Sequence, residues 1–153
     1  MPEVVKKGVN PSNEIKFGVC MDGRPEDLKS AEYTPVKDAE SLSISIDNGI
    51  ENWNPMDADG WQRALTTAKS LSISMGGKRN YGDPGNDFVA GLAWKNGQDC
   101  NSAMEVTFPN QDKLYIPCVI STNSLGGDST GIDALEWEVH SDGKPEYVSY
   151  PTV

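Results

Sequence analysis

The stretch SLSISI at positions 41–46 decides the fold class of this chain. Its apolar residues Leu42, Ile44 and Ile46 alternate with serines, so an extended chain has one apolar and one polar face. A period of two is typical of a strand in an antiparallel sheet that buries one face. The stretch LSISM at positions 71–75 has the same pattern and predicts a second strand of this kind.

The two stretches are near copies of each other. Residues 39–45 are AESLSIS, and residues 68–74, 29 positions further along, are AKSLSIS. Two explanations stay open at this point: an internal repeat, or two strands that share good amphipathic chemistry. A single pair of segments is too few to define a repeat array.

A hairpin is predicted further along the chain. Residues 103–108 alternate, residues 109–112 (PNQD) are turn formers, and residues 114–121 form the returning strand. Pro117 cannot donate a ladder hydrogen bond, so this strand is expected to be an edge strand or to carry a bulge there. Two more strands are predicted at 15–21 and 132–140.

One helix is predicted, from Asp83 to Lys95. Asp83 is a good N-cap and Pro84 suits the first helical position. Phe88 and Leu92 then recur at helical spacing, and this apolar face is expected to pack on the outer side of the sheet. Asn96-Gly97 supplies the stop signal.

These elements predict a mainly β fold, an antiparallel β-sandwich or small barrel with one short flanking α-helix. Long loops are expected at 23–36, 49–60, 76–83 and 123–131, and loops this long in a small domain are often functional or involved in assembly. The length predicts a single domain over 1–153, with terminal arms at 1–14 and 148–153.

Composition argues against several classes of protein. The chain has 153 residues, 23 acidic and 13 basic side chains, and a formal net charge of −10. Tight binding to a nucleic acid backbone relies on lysine and arginine, so this charge disfavours it. No run approaches the ~20 apolar residues of a membrane span. Positions 1–7 (MPEVVKK) lack the apolar core of a secretion signal, so we expect no membrane association.

No motif for catalysis, a cofactor or a metal stands out. The three cysteines, Cys20, Cys100 and Cys118, are widely spaced, which predicts free thiols rather than a disulfide framework or a zinc site. The only histidine, His140, has no nucleophile motif to serve. The stretch DADG at 57–60 lacks the flanking ligands of a calcium loop. We therefore predict a protein that is not an enzyme and needs no cofactor.

The four tryptophans divide into two pairs. Trp94 on the helix and Trp137 on a strand are predicted to be core residues. Trp53 and Trp61 flank the loop NPMD at 54–57 and can form either a sugar-binding platform or a protein contact. In a chain this polar we favour contacts between subunits, because interfaces are enriched in tryptophan.

The order of these features resembles the major tail tube protein of long-tailed bacteriophages, in the form carried by phages of Gram-positive bacteria. The resemblance runs from about residue 15 to residue 147. It rests on the strand ending IDNG at 46–49, the acidic tryptophan loop, the second strand ending GGK at 76–78 and the helix. The hairpin around Asn110, the LGGD loop at 125–128 and the final strand with SDGKP at 141–145 complete it.

The resemblance implies a structural virion protein. Six copies form a ring whose inner sheets join into one β-barrel, and stacked rings make a tail tube that conducts double-stranded DNA without binding it specifically. It also implies partners: further copies of the chain, the tape-measure protein inside the tube, and the tail terminator and distal tail proteins. The chain is then made in the cytoplasm of a host bacterium and resides in the tail tube of the virion.

Within such a tube, the acidic C-terminal part has an expected role. Residues 121–153 contain six acids and one base. Glu136 and Glu138 lie on the polar face of a strand, which in a tube meets the lumen or a neighbouring subunit. We expect them to face the lumen, where negative charge disfavours adhesion of DNA; the alternative is an outer surface, where acids favour solubility. The alternative function is an extracellular carbohydrate-binding β-sandwich module that uses Trp53 and Trp61. The unpaired cysteines and the missing secretion signal count against it.

Overall fold

The computed structural model describes residues 8–150, and the alternating stretches become a single antiparallel sheet. Its strands are β1 (Lys16–Val19), β2 (Ala39–Trp53), β3 (Arg63–Lys78), β4 (Asn101–Thr107), β5 (Lys113–Gly126), β6 (Ala134–Ser141) and β7 (Glu146–Val148). One α-helix, α1 (Pro84–Gly91), continues as a 3₁₀ turn over Leu92–Trp94. The predicted arms at 1–14 and 148–153 lie partly outside the described residues.

The strand order is β1-β4-β5-β6-β3-β2, and β7 pairs with the start of β5. The sheet is strongly curled. Strands β4 and β5 lie between β1 and β6, yet the ring centres of Phe17 on β1 and Trp137 on β6 are only 6.3 Å apart. The two edge strands, β1 and β2, border a common groove of about 530 Å³. The mainly β antiparallel prediction is confirmed, in the form of one curled sheet that stops short of a closed barrel.

The concave face of the curled sheet encloses the core, and the strand alternation predicts which residues it takes. Ile73 and Met75 of β3 are buried, as are Trp137 and Val139 of β6. Cys118 is fully buried on the same face of β5 as Ile116 and Ile120, as expected. Burial raises the pKa of the Cys118 thiol to about 12.

The start of α1 follows its capping signals. The side chain of Asp83 accepts a hydrogen bond from the backbone N–H of Asn86, and Pro84 begins the helix. Gly85 is required here because a Cβ would clash with the carbonyl oxygen of Pro35. Leu92 is 3% exposed and packs in the core, which confirms that the predicted apolar face is buried. The expected position on the outer side of the sheet is wrong, because the helix lies on the concave face, where the Thr122 hydroxyl donates a hydrogen bond to the Val89 carbonyl.

The end of the helix differs from the prediction. The α-helical part stops at Gly91, and a 3₁₀ turn carries the chain to Lys95, which is extended. Trp94 falls on this turn and is 83% exposed, so its assignment to the core is wrong. The tightened turn rotates this side chain away from the sheet, whereas Trp137 is 2% exposed as predicted.

Strands β2 and β3 form a hairpin much longer than the sequence patterns predict. They pair from Ala39↔Gly77 to Trp53↔Arg63, so the first five residues of the predicted loop at 49–60 are strand. The turn-forming dipeptide Asn48-Gly49 sits at a bulge instead, where a Cβ on Gly49 would come within 3.1 Å of the Ala68 Cβ. The near-copy stretches are therefore the two facing arms of one hairpin.

Strand β5 is central in the sheet, so the prediction of an edge strand at Pro117 is wrong. Pro117 pairs with Ala103 of β4 on one side. On the other side it falls between β7, which pairs at Lys113–Tyr115, and β6, which pairs from Cys118 onward. The missing N–H of proline therefore breaks no ladder, while its carbonyl accepts a hydrogen bond from the N–H of Asp142.

Candidate functional site

The convex face of the sheet carries a continuous polar surface over β2, β3, β6 and the second half of β5. The strand register places Ser43, Ser74, Glu138 and Ser121 in one row across the four strands. The term "polar face" is used below for this surface, which is formed by Ser41, Ser43, Ser45, Ser72, Ser74, Ser121, Asn123, Glu136, Glu138 and His140. The serines are the polar half of the alternation that buries the leucines and isoleucines.

The rest of the convex face is covered by the chain itself. The long loop after β1 folds back over β1, β4 and β5, and Thr34 forms a bridge with Val19. The ring of Tyr33 lies 6.1 Å from that of Tyr115 and helps to bury it. The polar face is thus the part of the sheet that the protomer leaves open.

Acidic charge dominates the polar face. Glu136 is exposed, and Glu138 lies 3.2 Å from the Nε2 atom of His140. In the part of the chain that the structure describes, no lysine or arginine forms an ion pair with either glutamate. The structure therefore brings Glu136 and Glu138 together on one open surface, as the alternation predicts.

Two free strand edges flank this surface. Among residues 8–150, strand β2 pairs only with β3, so its outer edge is open along Ala39–Trp53. Within the same range strand β5 pairs with β4 as far as Val119, and residues 120–126 pair only with β6. Unpaired strand edges are templates for pairing with another chain.

Half of the β2–β3 hairpin projects beyond the sheet. Strand β6 pairs with β3 at Ser72–Lys78, so no further strand of the described part of the chain lies beside residues 46–53 and 63–70. All of these residues are exposed. We call this projection the hairpin arm.

Trp53 and Trp61 lie at the tip of the hairpin arm, 41% and 79% exposed. Arg63 lies at the tip, and Ser74, which is paired with Glu138, lies eleven positions further along β3. Eleven positions correspond to about 36 Å along a strand. The structure therefore separates the two tryptophans from the two glutamates. The Arg63 guanidinium lies 5.4 Å from the Trp53 ring centre and covers one face of it, which disfavours a sugar platform there.

The sequence patterns missed a second exposed apolar group, at the opposite end of the sheet. Tyr81 and Ile132 are 73% and 69% exposed, and Leu125 is 37% exposed. The Tyr81 hydroxyl donates a hydrogen bond of 2.7 Å to Asp133, which raises the pKa of Tyr81. The Arg79 guanidinium lies 4.2 Å from the centre of the same ring. Tyr81 and Ile132 lie in separate loops and Leu125 near the end of β5, so no periodic signal marked them as one group.

Two other features, a metal-binding cluster and a membrane-spanning helix, are not found among the described residues. Within residues 8–150, no group of three or more His, Cys, Asp or Glu side chains is arranged to hold a metal ion. In the same range no helix has the length and apolar character needed to cross a membrane.

Comparison with known proteins yields structural matches only. No protein-family profile and no curated protein sequence matches this chain. A chain from the tail of an empty gene transfer agent particle, with helical order and C6 symmetry, has a similar structure, with a TM-score of 0.73 and 14% identity. A chain from the virion of the native gene transfer agent particle gives a TM-score of 0.71 and 15% identity. Both matches cover 92% of this chain and 100% of the other. The chain thus shares its fold with chains from the tail and the virion of gene transfer agent particles.

Proposed function

We propose that this protein is the major tail tube protein of a long-tailed phage or phage-like particle, a structural virion protein without enzymatic activity. Six copies form a ring, and rings stack into a tube that conducts double-stranded DNA and houses the tape-measure protein. The observation that carries the proposal is an acidic polar face flanked by two free strand edges. The fold shared with a chain from a C6-symmetric tail supports it.

Strand direction allows the ring to close. The order β5-β6-β3-β2 is antiparallel throughout, so β5 and β2 run in opposite directions. In a ring formed by rotation, the β2 of the next copy keeps the direction of the first. Residues 120–126 of one copy can therefore pair antiparallel with the β2 edge of its neighbour. Four strands from each of six copies would give a barrel with no free edge.

The surface area of the protomer supports assembly. A folded monomer of this mass, 16.6 kDa, exposes about 7,600 Å². The chain exposes 10170 Å², and every residue of the hairpin arm is exposed. The excess, about 2,600 Å², is of the size that obligate interfaces bury.

The polar face suits a wall along which DNA slides. Glu136 and Glu138 repeat in every copy and would line the lumen with fixed negative charge, which repels phosphates at short range. The serines between them offer no positive charge to hold the DNA. Trp53 and Trp61, on the hairpin arm, would contact other subunits.

Further parts of the proposal follow from the same assembly. A tube must end on a tail terminator at one side and on distal tail proteins at the other. The protein would be made in the cytoplasm of the host bacterium and would function in the virion. We predict that the host is a Gram-positive bacterium.

Electron microscopy of the purified, concentrated protein tests the assembly. We expect rings or tubes with sixfold symmetry in projection. Isolated monomers under all conditions, including crowding and high salt, would contradict the proposal.

The lumen assignment has its own test. Tubes assembled from a Glu136→Lys, Glu138→Lys double variant should retain double-stranded DNA at low salt and release it as salt rises, because lysines contact phosphates through counterion release. Wild-type tubes and tubes of Asp99→Lys, an exposed residue off the polar face, should retain little. Equal DNA retention by all three would show that the polar face does not line the lumen.

A further inference from the structure

The two ends of the molecule both carry large exposed apolar side chains. At the end of the hairpin arm, Trp53, Met56 and Trp61 form what we call the tip patch; Met56 is fully exposed. At the other end, Tyr81, Leu125 and Ile132 form what we call the far-end patch. Exposed apolar groups of this kind mark contact surfaces when they cluster.

Strand β3 places the two patches at opposite ends of the long axis. It has 16 residues, from Arg63 beside the tip patch to Lys78, and therefore spans about 50 Å. Lys78 pairs with Ala134, two positions after Ile132, and Ala134 also pairs with Gly126, next to Leu125. Arg79 and Tyr81 continue directly from the strand.

We propose that the tip patch of one copy docks on the far-end patch of a second copy in the adjacent ring. The inference rests on the proposed function, since it supplies the surfaces through which rings stack. A contact between two different patches at opposite ends is heterologous, and it repeats without closing. Such a contact can build a tube of any length.

The charges at the tip argue against the symmetric alternative, in which two tips meet. Asp57 and Asp59 flank the apolar side chains of the tip patch, and a tip-to-tip contact would place these carboxylates against their own copies. The far-end patch offers a fixed aromatic ring instead. Tyr81 is held between the Arg79 guanidinium and the Asp133 carboxylate, so little side-chain freedom is lost when a partner covers it.

Disulfide trapping tests the contact directly. In a Cys100→Ser background, which removes the partly exposed native thiol, a Met56→Cys, Ile132→Cys variant should form a ladder of covalent multimers when assembled tubes are mildly oxidised. The matched control pairs Met56→Cys with Trp94→Cys, whose native side chain is 83% exposed but lies in neither patch. Tubes that form without a ladder, or a control ladder of equal intensity, would overturn the docking while leaving the tube function intact. Failure of the wild-type protein to assemble would reject the tube function itself.

A second measurement covers the case in which the cysteine variants do not assemble. Trp61→Ala and Ile132→Ala should each raise the critical concentration for assembly about tenfold or more, while Trp94→Ala should leave it unchanged. Because the two side chains act through one contact, the double variant should show much less than the product of the two single effects. Fully multiplicative effects, or an equal effect of Trp94→Ala, would contradict the proposal.

Discussion

Leu92 is the residue that fixes the helical segment to the sheet. It lies at the C-cap of α1, 3% exposed, in the same core cluster as Val89 and Ile120. Its neighbour two positions on, Trp94, is 83% exposed. Two large apolar side chains only two positions apart thus have opposite environments, and only Leu92 is buried in the core.

We therefore expect Leu92→Ala to lower the free energy of unfolding by about 2–5 kcal/mol, through lost burial and a residual cavity. Trp94→Ala should change it by less than about 0.5 kcal/mol, as is usual at exposed positions. Urea unfolding followed by circular dichroism measures both. Equal effects of the two substitutions would show that the helical face is not anchored through Leu92.

Asp112 holds the C-terminal segment against the turn between β4 and β5. Its carboxylate accepts hydrogen bonds from the Tyr147 hydroxyl, the Tyr150 backbone N–H and the Asn110 side chain. The bond from Tyr147 is the main reason that the pKa of Asp112 lies below its ordinary value of 3.8. Because the pKa is lower in the folded state, the ionised carboxylate stabilises the fold above that ordinary value.

The expected consequence is a pH-dependent stability difference. Asp112→Asn should lower the melting temperature at neutral pH. The gap to the wild type should begin to close as pH falls below about 4 and should vanish below the lowered pKa of Asp112, where the folded wild-type carboxyl also becomes neutral. Thermal melts between about pH 2 and pH 7 measure it, with the exposed Asp99→Asn as control. A gap independent of pH would show that the carboxylate charge is not what stabilises this contact.

At the scale of the element, the β2–β3 hairpin has two distinct halves. The half beside β6 buries Ile73 and Met75, whereas every residue of the hairpin arm is exposed. Burial drives folding, so the arm adds little to the stability of the protomer. Its length is explained if its purpose is contact with other subunits.

Removal of the arm should separate folding from assembly. Asp47 and Ser70 are directly opposite each other, so an Asn-Gly turn can replace residues 48–69 between them. We expect the shortened protein to melt within about 5 °C of the wild type, because no buried side chain is lost. It should form no tubes in the electron microscope, and tubes formed as readily as by the full chain would contradict this role of the arm.

The whole molecule is an incomplete barrel with unequal ends. Its sheet curls until β1 and β2 border one groove, but the backbone edges of β2 and of residues 120–126 remain open. One end carries the hairpin arm and the other carries Tyr81 and Ile132. A shape with open edges at its sides and different surfaces at its ends favours sideways closure and end-to-end growth.

The amino-acid pattern alone predicted the existence of β1 to β6, the buried faces of their central parts and the start of the helix, but not β7. The serine–leucine alternation predicted the core face of β3, and Asp83-Pro84 predicted where α1 begins. It also placed Glu136 and Glu138 on the polar side of β6. These features were predictable because each depends on neighbours within a few positions along the chain, through the period of a strand or the geometry of a cap.

The length of the hairpin, the environment of Trp94 and the far-end patch depended on tertiary structure. Asn48-Gly49 is a turn signal in isolation, yet pairing of β2 with β3 continued through it as a bulge. Pro117 suits an edge strand, yet the gap between β7 and β6 accommodated it inside the sheet. Tyr81 and Ile132 come to the same end of the sheet only because the end of β3 pairs with the start of β6. Each outcome rests on contacts between residues far apart in sequence, which local patterns do not encode.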